Sequence, residues 1–192
     1  MTPSSDPEPE TSSAPNAWAR ELLDFWFSRG REDWWRGSPE LDEEIRKKFG
    51  IEWARQARRQ VEDFLGDPDT ALAAVILFDQ LPRNMFRGHA DQYSTDHLAL
   101  AIAKGAIDRG HDDGMGEARR GFLYMPFQHS EALKDQVQSL LLFSALGDAE
   151  QIGYARKHHE VIEKFGRFPH RNTVLGRKPT AMELAAGEVV PW

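Results

Sequence analysis

From Trp18 onward, large apolar residues recur every three or four positions, and no stretch alternates apolar with polar residues over a useful length. That period places side chains along one stripe of an α-helix, so the chain is predicted to be all-α. Trp18, Leu22, Phe25 and Trp26 share one face, with Asn16 placed to cap. Ser38-Pro39-Glu40 sets a capping hydroxyl, then Pro at the first helical position, then an acid near the positive helix end. Leu41, Ile45, Phe49, Trp53, Ala57, Val61 and Phe64 continue the period, with Gly50 expected to bend or split that helix. Asp67-Pro68 repeats the start signal before Ala71 to Phe78, which is apolar on every side and so predicts a central, buried helix that Pro82 ends.

The next helix is expected from Thr95 or Asp96 through Ala106. A short one follows from Glu117 to Tyr124, stopped by Pro126. Ser130 is placed to cap a helix with Leu133, Val137, Leu140 and Leu141 on one face and Gly147 after it, and Gly166 closes a helix from Ala149 to Phe165. Thr180 and Glu183 have capping-box spacing before a last short helix. The expected architecture is a helical bundle or α-α superhelix of about seven or eight helices joined by short loops. It spans residue 17 to residue 192 as one domain. Residues 1–16, rich in Pro, Ser, Glu and Thr, bury too little to offset their ordering entropy and are expected to form a disordered tail.

Composition narrows the function classes. With no Cys, the chain can make no disulfide, Cys-ligated zinc site, iron–sulfur cluster or thiol nucleophile. The net charge of −7 argues against a dedicated nucleic-acid binder, because phosphate contacts need a broad basic surface. The longest apolar run, Ala71 to Phe78, is far short of the roughly 20 residues of a membrane helix, so no membrane association is expected. The N-terminus shows no signal-peptide pattern, and the cytoplasm is the expected setting.

Two segments depart from the acidic average. Between Gln80 and Ala90 the formal charges are Arg83 and Arg87, with Asn84 between them. From Phe165 to Met182 there is no acid, but there are Arg167, His170, Arg171, Arg177 and Lys178, with Asn172 among them. Arginine beside Gly, Pro and Asn in loops suits an anion site, since the guanidinium fork binds carboxylate or phosphate bidentately. The same residues also suit a structural role, in which they pair with carboxylates such as Asp79, Glu131 or Asp135 and stitch loops to the bundle. Tyr124, His129 and Glu131 add a donor, an acid–base group and an acceptor near a helix start. Alternatively, Glu131 complements a helix dipole and His129 simply sits in a loop. Paired Glu-x-x-His motifs, a phosphate-cradling Gly loop, a Gly-x-Ser-x-Gly elbow and His-Glu-x-x-His are all missing, so no metal site or cofactor is expected.

Four segments in fixed order resemble a known family: Leu23-Asp-Phe-Trp-Phe, Phe78-Asp-Gln-Leu-Pro-Arg-Asn-Met-Phe-Arg-Gly, Phe122-Leu-Tyr-Met-Pro-Phe-Gln-His-Ser-Glu and Phe165-Gly-Arg-Phe-Pro-His-Arg-Asn-Thr-Val-Leu-Gly-Arg. They are similar to the bacterial family called domain of unknown function 924, over about Ala17 to Trp192. Phe78 and Leu81 stand where Leu and Phe are more usual, and both exchanges are apolar. The resemblance implies an all-helical fold similar to tetratricopeptide-type superhelices and implies no activity, cofactor or catalytic residue.

Two function classes follow. One is a small-molecule site for an anion, built from both arginine-rich segments. The other is a helical scaffold for a peptide or protein partner. The first requires a spatial arrangement: Arg83 and Arg87 close to Arg167, His170 and Arg171, with Tyr124 and His129 in the same cleft.

Overall fold

The computed structural model of the protein describes residues 16–187, and among these every regular element is helical. The helices are α1 (Ala17–Phe27), α2 (Arg31–Arg36), α3 (Pro39–Gln56), α4 (Pro68–Val75), α5 (Leu81–Met85), α6 (Asp96–Asp108), α7 (Glu117–His129), α8 (Leu133–Leu146), α9 (Ala149–Phe165) and α10 (Ala181–Ala186). The predicted tail lies outside the described residues except for Asn16. That residue stands at the start of α1 without a side-chain cap, and its amide donates to the Thr70 hydroxyl at 3.4 Å.

Several starts and stops follow local chemistry. The Leu41 amide donates to Ser38 Oγ at 3.1 Å and the Thr70 amide to Asp67 Oδ1 at 2.8 Å, each with Pro at the next position. Thr180 and Glu183 form the expected reciprocal box, with bonds of 3.2 and 2.7 Å. Gly147 and Gly166 close α8 and α9 at φ of 88° and 70°, a region that disfavours residues with a Cβ.

Both proline stops are corrected. The helix begun at Pro68 runs through a π-helical turn, Ile76–Gln80, into α5, with Pro82 inside its first turn. In α4 and the π turn, Ala71 to Phe78 are all fully buried, packed between α1, α6 and α7. Pro82 cannot donate to the Phe78 carbonyl, and the Thr95 hydroxyl does so instead at 2.7 Å. A side-chain donor thus replaces the lost backbone bond and the helix continues. Likewise α7 continues through Pro126 to His129, because Gly121 to Gln128 are buried on all sides and tertiary packing outweighs a local penalty of about 3 kcal/mol.

Other differences are smaller. Gly50 sits inside a continuous α3, and that helix stops at Gln56, with a separate 3-10 turn at Val61–Phe64. Most of the expected apolar face of α8 points outward: Leu133, Val137 and Leu141 are exposed and Leu140 alone of the four packs against the core, whereas Asp135, Gln136, Ser139 and Phe143 are buried. Two of the buried polar residues are bonded: Gln136 Nε2 donates to the Gln128 and Ser130 carbonyls at 2.7 Å each, and Asp135 accepts from Ser130 and Lys104. Ser130 therefore serves Asp135 rather than capping α8 directly.

Candidate functional site

The π turn determines where Asp79 points. An extra residue in the turn shifts the phase of the helix, and the Asp79 carboxylate faces inward, fully buried. His129, the last residue of α7, places Nδ1 2.7 Å from Asp79 Oδ1. Gln80 Nε2 also bonds this carboxylate, and the Arg83 guanidinium lies 3.7 Å from it. Burial by itself would push the Asp79 carboxyl up. The fields of His129 in its protonated form and of Arg83, with the hydrogen bonds, outweigh burial and hold it below the usual carboxylate range.

Arg83 leads outward from this core. It donates to the Asp79 carbonyl and forms a bidentate pair with Asp96 at the start of α6, with both bonds at 3.0 Å. Asp96 also faces Arg171, whose Nη1 is 3.5 Å away. The buried Arg171 side chain comes from the 3-10 turn Pro169–Arg171, lies 4.5 Å from both the Tyr93 and Phe168 ring centroids, and donates to the His129 carbonyl at 3.0 Å. The two arginine-rich segments, 88 positions apart at Arg83 and Arg171, thus meet across one carboxylate.

On the solvent side of this cluster is a cleft of about 220 Å³, lined by Gln80, Arg83, Asn84, Arg87, Met125 and His129 together with Trp34, Trp35, Arg36 and Gly37. The α2 side of this wall was not anticipated from the sequence. Its signals were the acids Glu32 and Asp33 in the first turn and Arg36 in the last. Trp34 Nε1 donates to the Trp26 carbonyl at 2.9 Å, and both tryptophans meet Phe122, which fixes α2 against the bundle. A second cleft of about 330 Å³ adjoins, sharing Trp34, Trp35 and Met125 and including Phe122.

Among the described residues no carboxylate lines the smaller cleft, although three guanidinium-bearing residues do. The acidic partners lie outside that lining, and Asp42 lines a neighbouring pocket with Arg36 and Arg87. Arg87 is held bidentately by Asp42 at 2.7 and 3.0 Å, and Asn84 donates to the same carboxylate at 2.8 Å. Arg36 has no ion pair among the described residues.

The remaining candidates form other groups. Tyr124 points to the opposite end of α7, where its hydroxyl donates to Asp112 Oδ2 at 2.6 Å. Glu131 pairs with Arg177 at 2.7 and 3.0 Å and accepts from the Phe168 amide at 2.8 Å. Arg167 pairs with Glu183 at 2.6 and 2.8 Å, and Asn172 joins Glu183 to Arg177. These bonds tie the segment after α9 to the bundle. Arg167 holds the Glu183 carboxyl at about 2. His170 and Asn172 line a separate groove of about 700 Å³ with Tyr93, Pro179 and Leu184. Burial, with help from Arg171, pushes His170 down to about 4, and burial pushes His158 down to about 3. The structure therefore brings Arg83, Arg171 and His129 together, sets Arg83, Asn84, Arg87 and His129 in the lining of one cleft, and places Arg167, His170, Asn172, Arg177 and Tyr124 elsewhere. Among the described residues, no three His, Asp or Glu side chains cluster as metal ligands would.

Residues 22–186 match the model of a family described as bacterial protein of unknown function (DUF924). The solved structure of a protein of unknown function from Agrobacterium tumefaciens is similar. Its identity to this chain is 38% and its TM-score 0.83, over 88% of this chain and 96% of that one. No curated protein matches the chain. Among the described residues no helix is long and apolar enough to cross a membrane.

Proposed function

The chain belongs to the DUF924 family of bacterial proteins of unknown function, and from its cleft we propose that it binds a small anionic molecule between α2, α5 and the end of α7. The observation that carries this reading is the asymmetry of the cleft: Arg36, Arg83, Arg87 and His129 line it, and among the described residues their carboxylate partners Asp42, Asp79 and Asp96 do not. A carboxylate or phosphate entering there meets guanidinium donors without meeting an acid. The amides of Gln80 and Asn84 add polar contacts, and Trp34, Trp35 and Met125 offer an apolar side to the rest of the ligand. The net charge of −7 supports a small anion over a nucleic acid, and we take the cytoplasm as the setting.

Thermal melts with inorganic phosphate, pyrophosphate and small di- and tricarboxylates test the reading. A ligand at about 100 times its Kd adds roughly 2.7 kcal/mol of stability. The Arg36→Ala and Arg87→Ala double variant should stay folded but lose that gain, since both side chains are exposed and Asp42, which loses Arg87, keeps its bond from Asn84. A wild-type melt that no anion shifts would sink the reading.

A second reading, a tetratricopeptide-like scaffold for a peptide or protein partner, draws on the exposed stripe of Leu133, Val137 and Leu141 along α8. Sedimentation of the wild type against Val137→Glu tests that face. Self-association lost in the variant, together with no anion effect, would favour the scaffold.

A further inference from the structure

We infer that Asp79 and His129 form a general acid–base dyad, in which His129 Nε2 exchanges a proton with water or with a hydroxyl of the molecule held in the arginine-lined cleft. The identity of that molecule rests on the anion reading above. The dyad rests on its own geometry.

An ionised carboxylate only accepts hydrogen bonds, so the 2.7 Å contact places the proton of the neutral imidazole on Nδ1 and leaves the lone pair on Nε2. The ring lines the cleft, and among the described residues no group bonds Nε2. Asp79 is itself fixed. It is fully buried in the π turn and is held by Gln80 and Arg83 as well as by His129. A buried carboxylate that orients the imidazole of a cleft-lining histidine through one nitrogen, and leaves the second nitrogen unbonded, is the arrangement that sets tautomer and direction in acid–base catalysis. Anchoring of the loop after α7 does not require it. The loop after α7 is already anchored by Arg171 on the His129 carbonyl and by Gln136 on the Gln128 and Ser130 carbonyls.

In the step, an O–H bond in water or the ligand breaks and an N–H bond forms at Nε2. The electron pair stays on oxygen, which becomes the nucleophile or base. The imidazolium is stabilised by Asp79, which remains ionised, and the proton returns to a product oxygen when the reaction closes. Among the described residues the cleft wall carries no Ser, Thr, Tyr or Lys side chain, so water or the ligand itself is the source proposed for the reacting oxygen. The titratable and charged groups around the ring are Asp79 from the π turn, Arg83 from α5, Asp96 from α6, His158 from α9, and His170 and Arg171 from the 3-10 turn. Asp79 is a positioning residue, because it acts through His129.

Carbethoxylation by diethyl pyrocarbonate, mapped by peptide mass spectrometry over the seven histidines, tests the dyad. His129 of the folded wild type should react at Nε2. In Asp79→Asn the side-chain amide can donate to Nδ1 and drive the proton onto Nε2, so the rate at His129 should fall by about tenfold or more, while circular dichroism stays unchanged. The wild-type 15N spectrum needs no variant and should show a protonated Nδ1 and an unprotonated Nε2. An unreactive His129 in the folded protein, or a protonated Nε2 in the neutral ring, would overturn the dyad. Inorganic phosphate should slow the reaction if the anion reading holds. Modification that phosphate leaves unchanged supports the dyad and removes the anion site.

Discussion

The Thr95 hydroxyl donates to the Phe78 carbonyl at 2.7 Å, the one acceptor in the central helix that Pro82 cannot serve. One side chain at the start of α6 thereby permits a proline inside a fully buried helix, and with it the π turn that aims Asp79 inward. Thr95→Val keeps the shape and leaves the carbonyl without a donor. We expect a loss of about 1–3 kcal/mol in urea denaturation at unchanged slope. Wild-type stability in that variant would show that the helix needs no replacement donor.

Arg171 is buried between two rings and faces Asp96, so its removal leaves a carboxylate short of a counter-charge. Arg171→Ala should cost about 3 kcal/mol or more. Arg171→Lys keeps the charge but loses the planar stacking and the fork, and should cost less. A loss below about 1 kcal/mol for the alanine variant would mean that Arg171 serves a ligand and not the fold.

Gly37 links α2 to α3 at φ 56°, and a Cβ there would stand 2.6 Å from Arg87 Nη2. Gly37→Ala should therefore displace the Arg87 guanidinium from the cleft wall as well as strain the turn by about 1 kcal/mol. The expected result is a weaker phosphate-induced melting shift than in the wild type. An unchanged shift would separate Arg87 from anion binding.

His158 and His170 titrate well below the free imidazole range, to about 3 and about 4, chiefly because burial disfavours their charged forms. The unfolded chain therefore binds more protons than the folded one below pH 6.5. Their contribution to stability is full above that pH and is lost as pH falls toward 4 and 3. Each contributes a slope of up to about 1.4 kcal/mol per pH unit. Denaturation curves at pH 7.5, 6 and 5 should show falling stability, and His158→Gln should flatten the fall. A profile flat from pH 7.5 to 5 would contradict it.

The sequence by itself determined the helical class, the buried centre at Ala71 to Phe78, and the termini governed by local bonds: Ser38, Asp67, Gly147, Gly166 and the Thr180–Glu183 box. These depend on periodicity and on groups within four positions of each other, and such information is present in a short window of chain. It also marked Arg83, Arg87, His129 and Arg171 as residues of interest. What it could not determine was their partners. Asp42, Tyr93 and Asp96 lie on other elements, and only packing decides that Arg83 meets Asp96 while Arg177 meets Glu131. The proline errors have the same origin: Pro82 and Pro126 end helices when judged locally, but a distant hydroxyl and a fully buried environment reverse that preference. Helix α2 is six residues long and gains its place from Trp26 and Phe122, so the cleft it walls exists only in the folded chain.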